Sequence, residues 1–144
     1  MLSQKIRYTI RAIQHLADRW GDGAIGMAEI AEKQNIPPKF LAVILSELNR
    51  EGLVISQRGR DGGYQLALPP CDIRYGDIIR IMRGSLALVP CASRFSHQPC
   101  LNCLPEEECR LRSLMIKVRD HTAKVLDSFT FADPIPLEPL FADQ

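Results

Sequence analysis

Through the first fifty residues apolar side chains recur at three- and four-residue steps, the spacing of one face of an α-helix. Ile6, Ile10, Ile13 and Leu16 mark a first helix over residues 3–20; Ala17 and Trp20 extend its stripe, and Gly21-Asp22-Gly23 ends it. The run from Met27 to Gln34 predicts a short second helix burying Ile30 and Ala31, and Asn35-Ile36 a turn. Pro37-Pro38 then opens a third helix. A proline is tolerated in a first helical turn because its missing N–H would have no partner there. Leu41, Ile44, Leu45 and Leu48 give this helix its buried face, and Gly52 closes it.

The period then changes from about 3.6 to 2. Residues 53–58 and 64–68 alternate as two strands around Gly59-Arg-Asp-Gly-Gly63, whose glycines permit positive φ. Two short helices joined by a tight turn and followed by a hairpin predict a winged helix-turn-helix. Beyond the break at Pro69-Pro70-Cys71, residues 75–83 read as a short helix with Ile78, Ile79 and Met82 inward. Periodicity vanishes from Gly84 to Leu104, and loops of that length are usually functional or disordered. Pro105 is expected to open the longest helix, over 105–128, with Glu106, Glu107 and Glu108 complementing the positive end of its dipole. Its stripe is Leu111, Leu114, Met115, Val118, Val125 and Leu126, with Thr122 in register.

The expected fold is therefore α+β and mainly helical. A winged-helix DNA-binding head (1–84) is followed by a cysteine-rich cofactor loop (85–104), a long C-terminal dimerisation helix (105–128) and an extended Pro-rich tail (129–144). The last helix is assigned to pairing with a second copy because the head supplies partners for its own short helices, and DNA readers of this type commonly bind two half-sites as symmetric dimers.

Charge adds a gradient. Net charge is only +1, yet residues 1–84 hold twelve Lys/Arg against nine Asp/Glu, and residues 85–144 six against eight. A basic head with an acidic second part suits a nucleic-acid reader carrying a regulatory segment. No run approaches a membrane span and none resembles a signal peptide, so a cytoplasmic protein is expected, in which cysteines bind metal more readily than they form disulfides.

The candidate chemistry lies in two places. On the head, the solvent side of the third helix offers Lys39, Phe40, Ala42, Val43, Ser46 and Glu47. Lys39 suits a phosphate or guanine edge, whereas Ala42 and Val43 suit only thymine methyls. Arg58 and Arg60 flank a glycine at the wing, and Lys5 and Arg7 stand at the start of the first helix as phosphate anchors. Beyond the head, four of the five cysteines are spaced Cys91-x8-Cys100-x2-Cys103-x5-Cys109. Four thiolates suit either tetrahedral zinc or an iron–sulfur cluster. Only one pair is as close as zinc sites usually use, while a cluster tolerates wider steps; His97 is a possible substitute ligand. Cys71, apart from the others, is read as structural.

Taken together, the winged helix, the glycine-bearing wing, the cysteine loop and the long final helix resemble the iron–sulfur cluster regulator (IscR) family, which also includes nitric-oxide-sensing and iron-responsive repressors. The resemblance covers about residues 1–128. Its most specific parts are Lys5-Ile-Arg-Tyr8, Leu53-Val54, Arg58-Gly59 with Gly62-Gly63-Tyr64, and Cys103-x5-Cys109. It implies a dimeric regulator of double-stranded DNA in which Cys91, Cys103 and Cys109 hold a [2Fe–2S] or [4Fe–4S] cluster. It also implies that Tyr8 and Arg58 lie near the DNA. The loop here is longer than in that family and carries the additional Cys100. Arg112, which does not ligate, stands where some relatives have a histidine ligand, and Cys100 is available as the fourth ligand. Ala42 replaces a glutamate that tunes site choice in some relatives.

The expectation is a homodimeric transcriptional regulator, a repressor by preference, binding a palindromic operator under control of a cluster that reports iron, oxidants or nitric oxide. Its rivals are the same regulator with zinc or a thiol switch, and a winged helix that binds a protein partner. A thiol enzyme is disfavoured, since no neighbouring catalytic histidine or substrate motif is visible.

Overall fold

A computed structural model describes residues 2–139. It contains α1 (Gln4–Asp18), α2 (Met27–Gln34), α3 (Pro38–Arg50), β1 (Val54–Gln57), β2 (Gly63–Leu66), α4 (Tyr75–Arg83) and α5 (Arg110–Ser128), with short 3-10 turns at Pro70–Asp72, Pro90–Ala92 and Glu106–Glu108. Ser3 caps α1, its Oγ accepting from the Ile6 N–H at 3.2 Å and satisfying one of the donors that a helix start leaves free. The helix stops at Asp18, so Trp20 falls outside it and stands exposed rather than extending the stripe. Between α2 and α3, Asn35 takes the left-handed conformation (φ 50°), which asparagine tolerates better than most residues, and this makes the turn tight.

α1, α2 and α3 close on a core of Ile13, Leu16, Ile30, Leu41, Ile44, Leu45 and Leu48, to which the hairpin adds Val54 and Leu66. Fully burying each such side chain contributes about 1.5–3 kcal/mol. β1 and β2 pair antiparallel in the register Val54↔Leu66 to Gln57↔Gly63, somewhat shorter than the alternating runs predicted. The hairpin is moored at its base. Tyr64 and Ile25 exchange two backbone hydrogen bonds of 2.8 Å, tying β2 to the segment before α2. The winged helix-turn-helix is thus present with the predicted order of parts.

α4 buries Ile78 and Ile79 and half-buries Met82. Two departures follow beyond it. The long helix begins at Arg110, five residues later than Pro105. Cys109 is extended (φ −87°, ψ 101°) and acts as its N-cap, while Glu106–Glu108 form their own 3-10 turn after Pro105. The glutamates therefore lie outside the first turn of the helix they were expected to stabilise. Nor is the segment after α5 simply an extended tail. Phe131 is buried and stacks on Tyr75, centroids 4.1 Å apart, and Tyr75 N–H to Phe129 O (3.2 Å) and Phe131 N–H to Ile73 O (3.0 Å) dock the chain beside α4. Stacking two large aromatic faces out of water drives this return. Residues 134–139 are exposed, and the remainder of the predicted tail lies outside the described residues.

Candidate nucleic-acid interface and cysteine cavity

The reading surface begins with α3. Its apolar face is wholly committed to the core, which forces Lys39, Phe40, Ala42, Val43 and Ser46 outward. Phe40 is 50% and Val43 53% exposed, large apolar groups in water on a helix otherwise well packed. The start of α1 lies against this surface. Tyr8 meets Phe40 edge-on with centroids 6.0 Å apart, Arg11 lies 5.1 Å over the Tyr8 ring, and the Tyr8 hydroxyl accepts from Gln4 Nε2 at 2.7 Å. Lys5, expected as a free phosphate anchor, is engaged by Glu47 of α3 at 2.7 Å, while Arg7 donates to Gln4. Glu47 is thus a counter-charge that partly occupies Lys5, a pairing across 42 residues that no local pattern announces.

Arg58 and Arg60 are exposed at the tip of the wing. The two neighbouring glycines act differently. A methyl on Gly62 would lie 2.3 Å from Gln57 O; Gly63 has φ +148° and would place one 2.2 Å from Ile25 O. Both are half-buried in the hairpin itself, so their requirement is conformational and they set where the arginines stand.

In the second place, Cys91, Cys100, Cys103 and Cys109 all line one cavity of about 160 Å³, together with Pro105, Glu106 and Arg112. Cys71 is elsewhere, exposed on the 3-10 turn between the hairpin and α4. Cys91 is buried beside Cys100, whose thiol hydrogen bond, aided by desolvation, pushes the Cys91 thiol above its ordinary value. Cys109 Sγ accepts the Arg112 N–H at 3.4 Å, which puts that sulfur at the positive end of the α5 dipole. Arg112 does more than fill a place: its Nε donates to Cys91 O at 3.1 Å and lies 3.2 Å from Glu106. His97 faces Glu106 at 2.9 Å and so reaches the rim as the carboxylate's partner. Farther along, Arg119 donates to Ala92 O at 2.6 Å. Two arginines one face-repeat apart on α5 thus hold the cysteine segment, a role their exposed-looking sequence positions did not signal.

α5 in turn is fixed to the head by Arg80 and Asp127, bidentate at 2.8 and 2.7 Å. Gly76 makes that approach feasible, since a methyl there would meet Asp127 Oδ1 at 2.0 Å. Leu126 and Ala123 of α5 pack toward the head, whereas Leu111, Leu114 and Val125 remain exposed.

Residues 2–136 match the Rrf2 family, described as iron-dependent transcriptional regulators. The chain belongs to the Rrf2 family. A Rhodobacter capsulatus protein named as an rrf2-like HTH-type transcriptional regulator is 38% identical, over 92% of this chain and 91% of its own. The HTH-type transcriptional regulator CymR of Bacillus subtilis is 36% identical over 92% and 87%. Among solved structures, that of B. subtilis CymR, described as the global cysteine regulator, superimposes with a TM-score of 0.73 at 34% identity, covering 91% of this chain and 92% of that one. IscR of T. potens gives 0.72 at 33%, covering 92% and 84%. The Rrf2 chain is accordingly a helix-turn-helix transcriptional regulator, and its family implies DNA binding. Among the described residues no helix is long and apolar enough to cross a membrane.

Proposed function

We infer that this Rrf2 regulator binds a palindromic operator as a homodimer, as a repressor by preference, and that the cysteine cavity controls the binding through an iron–sulfur cluster. The observation that carries this reading is the gathering of four thiols, from positions spread over nineteen residues, around one cavity at the head of α5. Four sulfur donors suit such a cluster, which when bound supplies a group that iron supply, oxidants or nitric oxide can alter. In the sequence only one cysteine pair, Cys100 and Cys103, is as close as structural zinc sites usually use, and a multinuclear group tolerates the wider steps to Cys91 and Cys109.

The chain's own residues connect this cavity to the DNA surface. Arg112 and Arg119 hold the backbone of Cys91 and Ala92 to α5, and Asp127 holds α5 to Arg80 of α4. A displacement of the cysteine segment therefore pulls on α5, and α5 carries the exposed leucines that suit pairing with a second copy. Changing that pairing changes the separation of two reading helices, which must match half-sites about one DNA turn apart.

A thiol switch is the second reading. Cys91 and Cys100 line the same cavity, and a Staphylococcus aureus CymR structure, 31% identical, is described as an oxidised form. Here two thiols would close to a disulfide, giving two protons and two electrons to an oxidant such as a peroxide.

Iron, sulfide and zinc content of protein purified without oxygen, with its visible spectrum, separates these readings. Near-stoichiometric iron and sulfide is the expected result, lost in Cys103→Ala with a change in operator affinity. Metal-free protein that gains a Cys91–Cys100 bridge under peroxide would replace the cluster by the switch. Arg58→Ala should weaken operator binding in either case and flatten its salt dependence, because a phosphate contact is removed.

A further inference from the structure

We propose that a second cavity, between α4, residues 85–95 and the head-facing side of α5, binds a small zwitterion: a free α-amino acid with an apolar side chain. Its volume is about 410 Å³, within the range of roughly 300–1,000 Å³ usual for small-molecule sites. Six charged side chains line it, Asp77, Arg80, Arg94, Arg119, Asp120 and Asp127. Four of these neutralise each other, Arg80 with Asp127 at 2.7 Å and Arg119 with Asp120 at 2.8 Å. Two charges of opposite sign are left. Arg94 has no carboxylate partner among the described residues, and Asp77 only approaches the already paired Arg80 at 3.5 Å.

Between the charges the walls are apolar: Leu86, Ala123 and an aromatic ring, Phe95, that stands 78% exposed. A carboxylate and an ammonium on one carbon, with an apolar substituent, complement all three features at once. An inorganic phosphate or a dicarboxylate would leave Asp77 facing like charge, and a neutral hydrocarbon would leave both residual charges unsatisfied.

The site is compatible with the dimer inferred above. At about 100° per residue, Asp120, Ala123 and Asp127 lie roughly half a turn around α5 from Leu111, Leu114 and Val125, so pairing along the exposed stripe leaves the cavity open. It is also placed to matter. Arg119, on its wall, holds Ala92 beside Cys91, and the Arg80–Asp127 pair on the same wall holds α5 to the head. This inference does not depend on what the cysteine cavity holds.

The test titrates the full chain with each of the twenty common L-amino acids at about 10 mM, a concentration that saturates millimolar sites, by calorimetry and thermal shift. Inorganic phosphate and amino-acid methyl esters serve as controls. One or more apolar amino acids should bind and raise the melting temperature, their esters should not, and Arg94→Gln and Asp77→Asn should each weaken binding about ten- to a hundredfold, as loss of a charged hydrogen bond does. Both positions are solvent-accessible, and circular dichroism of the unliganded variants checks that they fold. Failure of every amino acid to bind, binding indifferent to both substitutions, or equal binding of phosphate would each overturn the proposal.

Discussion

Replacing Gly63 by alanine isolates what the wing's attachment contributes. Gly63 holds φ +148°, and a methyl there would sit 2.2 Å from Ile25 O and 2.4 Å from Ile25 C, both backbone atoms that no rotamer change can move aside. Relief requires the strand to shift away from Ile25, which breaks the two 2.8 Å hydrogen bonds exchanged by Ile25 and Tyr64. Backbone strain at such a φ costs about 1–2 kcal/mol, and each lost hydrogen bond about 1 kcal/mol. The expected destabilisation is about 3–4 kcal/mol. Gly59 provides the internal control: its φ is +109° but nothing lies within 4 Å of an added methyl. Gly59→Ala should therefore carry the strain alone, about 1–2 kcal/mol. Urea melts of the two variants, at equal m so that only stability differs, give the comparison. Operator titration should show Gly63→Ala weaker than Gly59→Ala under conditions where both are folded, because Arg58 and Arg60 ride on the displaced hairpin. If Gly63→Ala proved no more costly than Gly59→Ala, the mooring of the wing to Ile25 would have no energetic weight and the reasoning would fail.

Two further outcomes are expected. The Arg80 guanidinium, through its hydrogen bonds above all, holds the Asp127 carboxyl below its ordinary value against the opposing effect of burial. Its stabilisation is therefore complete above the unfolded aspartate value of about 4 and is lost as pH falls through the lower folded value. Asp127→Asn should cost about 1–2 kcal/mol at neutral pH, after discounting for partial exposure, and should flatten the acid limb of a stability–pH profile; an unchanged acid limb would contradict the pairing. Leu114→Glu, on the exposed side of α5, should convert dimer to monomer in sedimentation and reduce operator affinity, while shifting monomer stability by no more than about 0.5 kcal/mol. Retention of a dimer would place the interface elsewhere.

The order of elements through residue 83 was legible in the chain because each rests on a local rule. The 3.6-residue stripe of α1 and α3, the prolines at the start of α3 and the glycines of the wing act within a few residues of themselves. The cysteine cavity was legible as a set of residue types, since four thiols in nineteen residues have few other uses. Where α5 begins was not. Pro105 and three glutamates imitate a helix start, yet Glu106 turns to His97 and Arg112, and the true cap is Cys109. Similarly, prolines after residue 133 suggested an extended tail, but Phe131 finds a face of Tyr75 that lies 56 residues back in the chain.

The sequence by itself thus determined the winged helix-turn-helix, the pair of wing arginines and the clustering of four cysteines, through periodicity, turn chemistry and composition, all of which operate along the chain. Tertiary structure alone decided which charges remain free. Lys5 is engaged by Glu47, Arg112 and Arg119 hold carbonyls beside the thiols, and Arg80 binds Asp127 with Asp77 at the longer distance of 3.5 Å, while Arg94 faces a cavity with no carboxylate partner among the described residues. The reason is physical: a charged side chain has no periodic signature, and its partner is fixed by packing that brings together groups dozens of residues apart.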